Sequence, residues 1–166
     1  MIDRRRAICL ALAATALPGL LSPAHAQAFQ RFFQFLPDLP GWTGKKPDGV
    51  AIEVAGASMI TATREYERGE ARLDAQVIVG PAATVALAAI EAGVKIETRD
   101  MRMSTMVVDG FKLARTYNIP DKSGAVLVAL STSGVFSLNF KGIDDEEAFA
   151  IARRFDWKGM QGAVPK

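Results

Sequence analysis

The chain of 166 residues contains one cysteine, Cys9, and one histidine, His25, and both fall within an N-terminal stretch that reads as an export signal. Beyond residue 26 there is neither. Without a thiol pair no disulfide can form even in an oxidising compartment, so stability must come from core burial. A thiol nucleophile, a Cys/His zinc site, a Ser-His-Asp triad and an imidazole general base are excluded with them. Carboxylate, Lys or Tyr chemistry and an all-oxygen metal site remain. No Gly-rich phosphate loop follows any predicted strand, no internal repeat is visible, and Asp144-Asp145-Glu146-Glu147 lacks the interleaved ligand spacing of a calcium loop. The expectation is a protein that is not an enzyme, with no catalytic residues, no metal and no cofactor.

An excess charge of one sign is also missing. Of the 20 Lys and Arg, Arg4, Arg5 and Arg6 lie in the first 26 residues, and of the 18 Asp and Glu only Asp3 does, leaving 17 of each. That removes the electrostatic case for nucleic acid, which needs a basic stripe, and for an acidic membrane surface. Met1 to Ala26 carries the three arginines, an apolar run from Ala7 to Leu21 too short for a stop-transfer helix, Pro23, and the small residues Ala24 and Ala26 flanking His25. This is the layout of a cleaved signal peptide, with cleavage after Ala26 and Sec-type export. The Arg-Arg pair is shared with twin-arginine signals, but Arg6-Ala7-Ile8-Cys9-Leu10 fits that pattern poorly. Cys9 precedes the apolar run, which argues against a lipoprotein site. Periplasmic or secreted localisation follows as an expectation, with membrane contact only during export, and the 140 residues left suffice for one domain.

What is present is strand pattern. Met59 to Val79 is two alternating runs around Glu67-Arg68-Gly69-Glu70, a hairpin signal. Pairing Tyr66 with Ala71 places Arg64 opposite Leu73, Ala62 opposite Ala75 and Ile60 opposite Val77, an apolar face with one inward cation able to bind a carboxylate. The other face pairs Glu65 with Arg72, Thr63 with Asp74 and Thr61 with Gln76. Gly49 to Val54 precedes it as a first strand. A helix over 81–92 starts with Pro81 at its first position and stops at Gly93. It is apolar nearly all round, which predicts burial on more than one side, in the core or against a groove or dimer contact.

Val94 to Arg102 reads as a strand or an exposed connector. Met103 to Val108 and Phe111 to Tyr117 flank Asp109-Gly110, the strongest short hairpin signal, with Val108 opposite Phe111, Met106 opposite Leu113 and Ser104 opposite Arg115. Met101, Met103 and Met106 read as core gap-fillers rather than a metal cluster. Ala125 to Leu130 is a central strand buried on both faces. In Val135 to Phe140, Ser137 and Asn139 mark a wet sheet face or a polar site. Asp144 with Glu147 resembles a capping box opening a last helix, which Asp156-Trp157-Lys158-Gly159-Met160 ends.

The domain plan is therefore a signal peptide over 1–26, a Phe-rich short helix and Pro-rich linker over 27–48, one α+β domain over 49–160 and a frayed tail over 161–166. The fold class is α+β, an antiparallel sheet of about six to seven strands with two helices on one face. In the N-terminal helix Phe29, Phe32, Phe33 and Leu36 share a face that either packs on the domain or docks a partner. Trp42 reads as a lid over one end of the core rather than a ligand platform.

Leu39-Pro40-Gly41-Trp42, Arg64-Glu65-Tyr66-Glu67-Arg68-Gly69 and the closing Asp156-Trp157, with this element order, resemble small exported bacterial proteins of unknown function that have a Mog1/PsbP-like layout. The resemblance covers most of the chain after residue 26. It implies an assembly or binding role and no shared catalytic residue. Two functions follow as expectations. One is an envelope interaction module holding a protein partner by a sheet face or by Phe29, Phe32 and Phe33, with Arg64 as a further candidate contact. The other is a carrier of a small apolar ligand or lipid in a cavity under the helix of 81–92, lined by Leu87, Ile90, Met106 and Phe111.

Overall fold

A computed structural model describes residues 28–54 and 56–165. The expected signal peptide, with Ala24 and Ala26, lies outside them. The chain is a mixed α+β fold built on one nine-stranded antiparallel sheet. Its strands are β1 (Thr43–Gly44), β2 (Asp48–Val54), β3 (Ala57–Arg68), β4 (Ala71–Val79), β5 (Ile96–Glu97), β6 (Met101–Val108), β7 (Phe111–Asn118), β8 (Ser123–Ser131) and β9 (Gly134–Lys141). The order across the sheet is β1-β3-β4-β9-β8-β7-β6-β5, with β2 also paired to β3. The count exceeds the six or seven expected because β1 and β5 are two-residue strands, too short to show alternation.

The β6–β7 hairpin has the expected register, Val108 opposite Phe111, Met106 opposite Leu113 and Ser104 opposite Arg115. Its turn places Asp109 at φ 52° and Gly110 at φ 85°, as a type I′ turn requires. The β3–β4 hairpin departs from the expected pairing by two residues. Tyr66 faces Leu73, Arg64 faces Ala75, and Arg68 rather than Tyr66 faces Ala71. The turn is the two-residue Gly69-Glu70, with Gly69 at φ 60°, instead of a four-residue loop. Because a slip of two preserves the pleat, the same residues still face the core.

The helices correct the expected architecture. After β4, Gly80 at φ 98° turns the chain where a Cβ would come within 2.2 Å of the Ser58 carbonyl oxygen. Helix α1 (Pro81–Glu91) then crosses from β4 toward the β5 edge, burying Ala83, Leu87 and Ile90 on Ala114 and Val135, with Ile78, Leu127 and Ala129 packed beside them. Every one of those strand residues alternates with a residue of the main core, such as Val77, Leu113, Val126 and Phe136. So α1 lies on one face, while the opposite face carries a 3-10 turn (Gln30–Phe35), α2 (Asp145–Ala152) and α3 (Trp157–Ala163). Alternation says that both faces are apolar and leaves open which element covers each.

The main core centres on Phe155, whose ring lies 4.9 Å from Phe136 and 6.4 Å from Tyr66. Residues 156–160 do not end the last structured element, and 161–166 is not wholly a frayed tail. Asp156 accepts a hydrogen bond from the Gly159 amide at 2.8 Å and caps α3, which buries Trp157, Met160 and the following Val164. Asp144 makes no capping bond to α2, so the capping box is absent. Its carboxylate accepts from the Tyr117 hydroxyl at 3.3 Å, and Glu147 pairs with Arg68 at 2.6 Å. Arg115, buried on β7, binds Asp145 and Glu146, both at 2.7 Å, with Phe149 under its guanidinium at 4.4 Å. Three sheet side chains thus hold the acidic start of α2.

Candidate functional site

The expected partner-binding residues of the N-terminus are spent inside the molecule. Gln30–Phe35 is a 3-10 turn rather than an α-helix, so its side chains do not form one clean face. Phe32 and Leu36 are buried, and Phe29 and Phe33 are half-buried against the core, 5.6 Å apart ring to ring. The Phe-rich start is packing, not an open docking patch.

Arg64 does lie on the core side of β3, and its donors are occupied. Nε donates to the Lys45 carbonyl at 2.8 Å, Nη1 to the Leu36 carbonyl at 2.7 Å, and Nη2 to the Asp38 carboxylate. Tyr66 donates to the Pro37 carbonyl at 2.8 Å, and Arg68 lies 4.3 Å over the Trp42 ring. Burial, foremost, pushes the Tyr66 phenol up to about 12. The two sequence stretches around Pro40 and Tyr66 therefore meet: alternate residues of β3 strap the linker onto the sheet, with Trp42 half-buried over the core.

The unfinished surface is on the α1 side. The register places Val50 and Ile52 at one edge of that face, and Ile96, Met101 and Val107 at the other. These five, with Val85 on α1 itself at 78% exposure, are the exposed large hydrophobic residues among those described. Helix α1 is buried on one side only, since Ala82, Val85 and Ala88 face solvent. The expectation of burial on several sides fails because, among the described residues, α1 is the only helix on its face and none packs over its outer side. Met101 is exposed and Met106 packs toward the main core, so the methionines are divided between the two sides.

Between α1 and the sheet a groove of about 540 Å³ is lined by Leu87, Ala88, Glu91, Lys112, Ala129 and Leu130. The expected lining set is split by the sheet, because Leu87 and Ile90 belong to the α1 layer while Met106 and Phe111 pack with the other core. Away from α1 the same face becomes polar. Asp74 accepts from Thr63 at 2.8 Å and from Gln76 at 2.5 Å, and Asn139 is exposed, whereas Ser137 is buried rather than wet. Beyond them Lys45 pairs with Glu65 at 2.5 Å, which raises the Lys45 ammonium above its ordinary range. The sequence signal for this site was α1 itself, a helix too apolar on the side away from the sheet. Comparison with family models, curated proteins and solved structures finds no match to this chain.

Proposed function

We propose that the protein is an exported, non-catalytic interaction module that holds a protein partner on the α1 face of its sheet. The observation that carries this reading is the segregation of exposed apolar side chains: Val50, Ile52, Val85, Ile96, Met101 and Val107 all lie on one side. Scattered single hydrophobics are ordinary on a protein surface, whereas a one-sided set around an apolar helix marks a contact surface. The Mog1/PsbP-like resemblance carries the same implication, an envelope assembly or binding role. A photo-crosslinker at Val85, with Lys158 on α3 as the opposite-face control, tests it in intact cells. The expected result is a discrete adduct from position 85, lost in Val107→Asp. No adduct from position 85, or an adduct unchanged in Val107→Asp, refutes the reading.

The groove beside α1 favours a second reading, a carrier of a small apolar ligand or lipid. Its walls of Leu87, Ala88, Ala129 and Leu130 suit an apolar body, and about 540 Å³ lies within the roughly 300 to 1,000 Å³ of small-molecule pockets. Native mass spectrometry of protein recovered from the cell envelope separates the two: a retained small-molecule mass supports the carrier, and a bare monomer mass rejects it.

A further inference from the structure

On the face opposite α1, the strap and α2 enclose a second, smaller pocket. Leu39, Pro40 and Trp42 form one wall and Arg68, Ile151 and Arg154 the other, around about 120 Å³. That is below the range of small-molecule pockets and close to the size of one side chain. The pocket is held in shape before anything enters it. Trp42 is pinned under Arg68 at 4.3 Å, and Arg68 is in turn fixed by Glu147 at 2.6 Å, which neutralises the one carboxylate in the lining. Arg154 is different. No carboxylate among the described residues pairs with it, and its neighbour Arg153 turns to Asp109 at 3.4 Å. The lining thus combines an indole, aliphatic carbon and the exposed Arg154, which pairs with no carboxylate among the described residues, for a net charge of +1.

A guanidinium beside an apolar wall offers a planar fork of donors that a carboxylate satisfies in two bonds, and an apolar group cannot satisfy at all. We propose that this pocket receives a glutamate side chain of a protein partner, its carboxylate accepting from Arg154 and its methylene stem lying against Trp42. The charge and the size together select that occupant. The site is independent of the α1 face and does not rest on the function proposed for it.

The test uses the indole N–H resonances of the two tryptophans, Trp42 being identified by the peak lost in Trp42→Phe. Glutamate blocked at both ends as its N-acetyl, N-methylamide form is titrated, alongside blocked glutamine and sodium acetate. The expected result is a saturable shift of the Trp42 peak with blocked glutamate at millimolar concentration, and no movement of the buried Trp157 peak. Arg154→Gln should weaken this by about tenfold or more, and Arg154→Lys by less, because the charge stays and the fork is lost. No shift, or binding unchanged in Arg154→Gln, overturns the proposal. An equal shift with blocked glutamine shows an apolar cleft without carboxylate recognition. Acetate binding as tightly as blocked glutamate shows a site for free small carboxylates, and either result removes the partner side chain from the assignment.

Discussion

Arg64 shows how much a single inward cation contributes when its partners are backbone. Asp38 is 88% exposed on its side chain, so that ion pair is screened and contributes little. The Leu36 and Lys45 carbonyls are what Arg64 holds in place, and lysine cannot reach both. Arg64→Lys should therefore lower unfolding free energy by about 2 kcal/mol in a urea titration, the scale of charged hydrogen bonds. An unchanged midpoint would show that the strap is held without it. Tyr66 gives a pH signature. Its pKa is raised by burial from 10.0 to about 12, so its contribution is complete below pH 10 and is lost as pH rises toward 12. Stability should fall across that window, by about 2 kcal/mol, and Tyr66→Phe should flatten that part of the curve. Alternation made the inward direction of Arg64 legible. It could not reveal the carbonyls of Leu36 and Lys45, because those depend on the path of a linker that has no period of its own.

At the scale of elements, strands were more legible than helices. Asp109-Gly110 fixed its hairpin register because the turn type needs those residues, whereas Glu67-Arg68-Gly69-Glu70 admitted two loop lengths and the pairing moved by two. Helix α3 was hidden for another reason. Trp-Lys-Gly-Met-Gln-Gly-Ala carries two glycines, which lower helix propensity, so tertiary contact decides it. Met160 is fully buried and Gln161 donates to the Leu130 carbonyl at 2.7 Å. Met160→Ala should accordingly cost about 2 to 5 kcal/mol by calorimetry. A frayed tail would show no change. On α1 the same logic predicts a contrast between neighbours two residues apart. Leu87→Ala removes a buried side chain and should cost about 2 kcal/mol or more, while Val85→Glu, at a solvent-facing position, should leave the unfolding midpoint within about 0.5 kcal/mol.

At the scale of the whole molecule, the two faces of the sheet are unequally built, and this asymmetry is what joins fold to function. Among the described residues the main core has 27 buried members and the α1 layer five, three of them from the helix. The two meanders, β2-β3-β4 and β5 to β9, are joined by the antiparallel β4–β9 pairing, which brings together residues far apart in sequence and is covered by both layers. Opening free energy should follow that construction. In native-state hydrogen exchange the β4 and β9 amides should open only with global unfolding. The α1 amides should exchange through a cheaper local opening, since detaching α1 uncovers little apolar area and leaves the main core intact. An occupant on the α1 face binds only the docked helix, so it should raise protection in α1 by the linkage free energy of binding while β4 and β9 change less. If α1 instead exchanges at the same rate as β9 in the free protein, the layer is not separable, and its exposed side chains belong to a rigid surface rather than one that a partner completes.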